Sequence, residues 1–71
     1  MNIPLCFADT GEEYVIKKVS GLQEVRQHLE NMGFVTGGAV RVVSENNGNI
    51  IVAVKESRVA ISKEMAAKIY V

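Results

Sequence analysis

The residues able to do chemistry in this sequence are few, and their spacing keeps them apart. Cys6 is the one thiol and His28 the one imidazole. Neither belongs to a CxxC, HxxxH or HxxE pair, the spacings that present two ligands to one metal. His28 stands four residues after Glu24, the separation of a pair on the flank of a helix. Met32 and Met65 fall on apolar faces as core fillers. No metal site and no cofactor is expected.

Nucleophilic and acid–base chemistry are equally poorly equipped. Ser20 and Ser62 read as helix caps, Ser44 and Ser57 as strand-end residues, and a single histidine is available as base. Cys6 sits in an apolar entry segment with no adjacent cation to lower its pKa. Glu12, Glu13, Glu24 and Glu30 lack the facing arrangement of a catalytic carboxylate pair. Gly33, Gly37 and Gly38 cluster, but the order is helix, glycine, strand, whereas a nucleotide loop runs strand, glycine, helix, and no GK[ST] follows. The glycines are structural turn residues, and the chain is not expected to be an enzyme.

What must position the remaining candidates is one small domain spanning residues 1–71, since 71 residues suffice for one hydrophobic core and not two. Eight basic and eight acidic side chains leave no net charge. That argues against nucleic acid, whose generic affinity comes from phosphate neutralisation. Lys17 with Lys18, or Arg41, Lys55 and Arg58, would form a local basic patch. The latter three on one surface beside exposed aromatics would favour nucleic acid. A single cysteine cannot form an internal disulfide, Asn2 and Pro4 interrupt any signal-peptide pattern, and no apolar run approaches a membrane span. The expectation is a cytoplasmic protein that inserts in no membrane and reaches its inner face only through a partner.

The patterning is mainly β. Eleven valines and six isoleucines favour pleated surfaces over helical turns. Ile3, Pro4, Leu5 and Phe7 form an apolar entry, closed by the turn signal Asp9-Thr10-Gly11. Glu12–Val19 reads as strand one. Ser20-Gly21-Leu22-Gln23 reads as a capping box opening a helix over about 20–32, with Leu22, Val25, Leu29 and Met32 on its buried stripe. Gly33 stops that helix in a left-handed cap, Phe34 packs back on its last turn, and Gly37-Gly38 is a second permissive point. Ala39–Glu45 is strand two. Asn47-Gly48 is a tight hairpin turn, leading to strand three, Ile50–Lys55, apolar on both faces and therefore central or partly covered by the helix. Glu56-Ser57-Arg58 reads as a polar turn and Val59–Ile61 as strand four. Ser62 caps a helical turn over about 62–68, and Ile69–Val71 is the last strand.

About five short strands, a helix after strand one and a helical turn before the last strand predict a small SH3-like barrel, whose closure would remove exposed edges. An OB-like barrel is the alternative, but its long strands usually need a longer chain. What survives the chemical census is a binding surface. Tyr14, Phe34, Val35 and Tyr70 are the large residues least tied to the core, and Phe34 and Val35 lie between glycine hinges. Loop apolar residues serve as core plugs or partner anchors, the plug being favoured for Phe34. Self-association through the barrel edge or this loop stays open.

The run Leu29-Glu30-Asn31-Met32-Gly33-Phe34-Val35-Thr36-Gly37, followed by Val40-Arg41-Val42, resembles the FeoA family, small cytoplasmic accessory proteins of bacterial ferrous-iron uptake. That family shows a helix ending Leu-x-x-Leu/Met-Gly-hydrophobic, a short turn with a second glycine, then an alternating strand. The likeness covers nearly the whole chain, through Leu5, Gly11, Ile16, Val19, Arg26, Val52, Val54, Ile61, Ala66, Ile69 and Val71. It departs at Thr36, where the family very often has proline, and in its neutral charge, where many relatives are basic.

The resemblance implies an SH3-like barrel and association with FeoB, the membrane ferrous-iron transporter with a cytoplasmic G-protein domain. It does not imply that this chain binds iron. Phe34, Val35, Thr36 and Gly37, with Arg41 on the following strand, are the candidate partner-binding residues. The same fold resembles the C-terminal domain of iron- and manganese-dependent repressors, so the alternative function is a regulatory domain binding another intracellular protein.

Overall fold

The β-branched runs become strands wherever glycines and polar pairs do not interrupt them. The computed structural model describes residues 2–71. After a 3-10 turn at Leu5–Phe7, the order is β1 (Glu13–Val15), β2 (Lys18–Val19), α1 (Gln23–Asn31), β3 (Ala39–Asn46), β4 (Asn49–Val54), β5 (Ser57–Ser62), α2 (Lys63–Ala66) and β6 (Ile69–Tyr70). All pairings between these strands are antiparallel.

The expected closed barrel of five strands is not what forms. Six strands fall into two open sheets, one of four strands in the order β1-β3-β4-β5 and one of two, β2-β6, so the fold is mixed α/β. The reason lies in the stretch read as strand one. At Ile16, which is completely buried, the amide donates to the Gly38 carbonyl and the carbonyl accepts from the Gly37 amide, while the Lys17 amide donates to Tyr70. The chain thereby leaves β3 for β6, and what looked like one strand serves two sheets.

The helix is shorter than 20–32, and Ser20 is not its cap. Ser20 still belongs to the β2-β6 ladder: its amide and its hydroxyl both donate to the Lys68 carbonyl, at 2.7 and 3.1 Å. Gly21 then turns the chain at φ +107°, and Leu22 occupies the N-cap position without a side-chain bond. Leu22 is 78% exposed, outside the predicted stripe. Leu29 is wholly buried, and Val25 and Met32 pack half-buried against the core.

Two-residue turns set the register of the long hairpins. Asn47 (φ +46°) and Gly48 (φ +86°) connect the pair Asn46 and Asn49, as the Asn-Gly signal predicts. The next turn is Lys55-Glu56, not Glu56-Ser57-Arg58: Val54 pairs with Ser57, and Lys55 takes φ +57°. β5 is consequently six residues long and includes Arg58. Ser62 does cap α2, its hydroxyl accepting from the Met65 amide at 3.1 Å, although this helix ends at Ala66 rather than 68.

The core lies between the two sheets. Val40 and Val42 of β3, Ile50, Val52 and Val54 of β4 and Ile61 of β5 point inward, where Leu5, Ile16, Leu29, Phe34, Ala66, Ile69 and Val71 meet them. Alternation along β3, β4 and β5 leaves a second, outward face to the four-stranded sheet.

Candidate protein-docking surface

The loop between α1 and β3 is built by its backbone. Gly33 (φ +108°) follows the last helical turn, its amide donating to Glu30 and that of Phe34 to Leu29, both at 2.9 Å. This is the Schellman pattern, and its usual hydrophobic contact places Phe34 beside Leu29 in the core. Phe34 is 0% exposed. It is therefore a core plug, and it drops out of the candidate partner face.

The chain then folds through Val35-Thr36-Gly37-Gly38, closed by a hydrogen bond from the Gly38 amide to the Val35 carbonyl at 2.9 Å. Gly37 (φ +90°) takes the third position of a type II turn, the one that demands a positive φ. Gly38 has no such torsion. A Cβ there would lie 3.1 Å from the Val35 carbonyl oxygen, so it answers to space rather than conformation. The bonds from Ile16 hold this turn to the sheet, leaving Val35 half-buried and Thr36 exposed at its corner. Thr36 occupies the second position, where proline is favoured. Thr36→Pro is expected to raise stability by about 0.4–1 kcal/mol by restricting the unfolded chain, read as a higher urea midpoint with an unchanged slope.

Arg41 does not stand at that corner. It lies on the outward face of the sheet, in a row set by strand register: Glu13 on β1, Arg41 on β3, Ala53 on β4 and Arg58 on β5. One neighbouring row holds Val15 and Ala39, the other Ser44, Ile51 and Ala60. No residue of these rows is buried. Two shallow depressions meet there, one reaching Gly33, Gly38 and Lys55, the other Gly11, Val43 and Arg58, and they share Arg41 and Ala53. Among the described residues neither arginine pairs with a carboxylate, the ion pair present being Lys63 with Glu45 at 3.1 Å.

The structure thus gathers Arg41, Arg58 and Lys55 about one surface, but no aromatic side chain belongs to its rows. Sequence reasoning named Arg41, Lys55 and Arg58 as a candidate basic patch without placing Ala53 between the arginines, and it missed the exposure of Phe7 and Leu22, 74% and 78%. Alternation along β3 signals that Arg41 points outward, but placing Arg58 beside it needs the turn at Lys55-Glu56. Tyr14 and Tyr70 are half-buried, and the Tyr14 hydroxyl accepts from the Asp9 amide at 3.0 Å.

The other chemical candidates stay apart. Cys6 is half-buried with a free thiol, and His28 is exposed on α1. Among the described residues, no three His, Cys, Asp or Glu side chains come together to hold a metal ion. Also among them, no helix is long and apolar enough to cross a membrane.

Known proteins agree with this architecture. A candidate Fe(2+) transport protein A of Methanocaldococcus jannaschii is 38% identical over 68 residues, covering 96% of this chain and 83% of that one. A crystal structure of an iron uptake regulatory protein, FeoA, superposes with a TM-score of 0.90 at 28% identity, over 99% of this chain and 95% of that one. A manganese-dependent transcriptional repressor shares the fold at a TM-score of 0.89 and 19% identity, over 99% of this chain but only 40% of the repressor. Residues 3–71 match the FeoA domain, and with that match, on this fold, the chain belongs to the FeoA family.

Proposed function

We propose that this protein is a non-catalytic interaction module that supports or regulates ferrous-iron uptake by binding the cytoplasmic side of a FeoB-type membrane G-protein transporter. The observation that carries the reading is the Val35-Thr36 corner. It is an apolar and a polar side chain presented on a turn whose backbone is hydrogen-bonded to Ile16 and whose base is filled by Phe34. A rigid turn loses little freedom on binding, which favours affinity from a small surface. Val35, Thr36 and Gly37 form the contact, with Arg41 reached across the depression that begins at Gly38.

The relatives' association with iron transport supports the same role, in which the protein acts in the cytoplasm and is recruited to the inner face of the membrane by its partner. Its contribution is recognition, with no bond made or broken. Val35→Asp tests this directly. Val35 is half-buried and lies outside the core cluster, so the variant is expected to keep its far-UV spectrum. It should weaken binding to the transporter's cytoplasmic region at least tenfold by calorimetry. Unchanged affinity in a folded variant would remove the turn from the contact.

A further inference from the structure

The outward face of the four-stranded sheet has a chemistry of its own, and it shares Arg41 with the contact proposed above. Its centre is Ala53, the smallest side chain on the middle strand, half-buried and flanked in register by Arg41 on one side and Arg58 on the other. Two inter-strand spacings separate the arginine backbones, about 10 Å. Both side chains are exposed, and among the described residues neither has a carboxylate partner. Glu13 stands at the end of the row beyond Arg41, and Lys55 borders the depression on the same side, so the surface is net positive within an otherwise neutral protein. Val15, Ala39, Ile51 and Ala60 make the rows on either side mostly apolar, Ser44 being the polar member, and Val15 is 48% exposed.

We infer that this face docks an acidic, extended segment of a partner protein, with two carboxylates engaging Arg41 and Arg58 and an apolar side chain between them resting on Ala53. The geometry selects the occupant. Carboxylates three residues apart on a chain extended as a polyproline-II helix share one face and lie about 9 Å apart, close to the span of the two arginines, and guanidinium groups recognise carboxylates bidentately. The small residue between them leaves two depressions for the intervening side chains. Nucleic acid is disfavoured, because stacking platforms are missing from these rows and the protein has no surplus positive charge to release counterions.

The test is an NMR titration of isotope-labelled protein with the peptide Glu-Leu-Thr-Glu-Leu-Thr-Glu, its Gln-for-Glu counterpart, and a thymidine oligonucleotide of equal charge. Expected are shifts of Arg41, Ala53 and Arg58 with the acidic peptide, and at least a tenfold loss with the Gln counterpart. The Arg41→Gln/Arg58→Gln double variant should show the same loss, and a Lys17→Gln/Lys18→Gln control should bind like the parent. All these side chains are exposed, so the variants should fold, and their amide spectra check it. Shifts scattered over all basic residues, equal loss in the control, absence of binding at millimolar peptide, or tighter binding of the oligonucleotide would each overturn the inference. None of these results touches the Val35 experiment, since no transporter is present.

Discussion

Phe34→Ala is expected to destabilise the protein by about 3–5 kcal/mol, the usual cost of removing a fully buried aromatic ring. A domain of this length holds roughly 4–11 kcal/mol in total, so the variant should be largely unfolded or melt far below the parent. The size of the effect follows from where Phe34 sits. Its amide closes the helix cap on Leu29, its ring is completely buried, and among the described residues no polar side chain is buried with it to let water take its place. Chemical denaturation followed by circular dichroism measures it, and a loss under about 1 kcal/mol would contradict the core assignment. Val35→Asp, one residue along, should barely move the midpoint. The contrast separates plug from presented side chain within two positions.

Gly33→Val is expected to cost about 2–3 kcal/mol, or about 8–24 °C in melting temperature for a domain of this size. Two penalties add. A left-handed backbone costs a residue with a Cβ about 1–2 kcal/mol, and more when it is β-branched. A Cβ at Gly33 would also lie 3.3 Å from a Val54 methyl, so the Val54 side chain must give slightly in a packed core. Gly37 separates the two contributions, because its φ is +90° but nothing lies within 4 Å of where its Cβ would be. Gly37→Val should therefore lose only the torsional part, about 1–2 kcal/mol. Equal melting points for the two variants would show that the Val54 contact is relaxed at no cost.

The parts of the fold legible in the sequence are those governed by local chemistry. Gly33 and Asn47-Gly48 could be read because few residues tolerate a positive φ, and Ser62 because its hydroxyl meets an amide three residues on. The alternation along the third predicted strand puts Ile50, Val52 and Val54 on one face, and the structure shows that face to be the buried one. What failed depends on long-range pairing. Ser20 fits a helix cap by type, but its amide and hydroxyl are both used by Lys68, 48 residues away. Glu12–Val19 has the pattern of one strand, yet Ile16 and Lys17 bond to different sheets. No local signal announces that transfer.

The candidate surface was half legible for the same reason. Val35 and Thr36 stand between glycines whose turn chemistry is local. The company Arg41 keeps is not, since it rests on Lys55 adopting φ +57°, a conformation uncommon outside glycine, asparagine and aspartate. Lengthening that turn by one residue would slip the register and put Arg58 on the other face of its strand. A sequence reading that assigns the turn to the most polar triplet therefore loses the Arg41-Ala53-Arg58 row.

Recognition of the transporter's cytoplasmic region, as proposed above, is measured by NMR titration of isotope-labelled protein with that region. The titration is run once with GDP and once with a GTP analogue bound to the transporter's G domain. Saturable shifts are expected on Val35, Thr36, Gly37 and Arg41, with core amides such as Val52 unmoved. Shifts confined to the opposite side of the molecule, or none at millimolar partner in either nucleotide state, would contradict the proposed recognition.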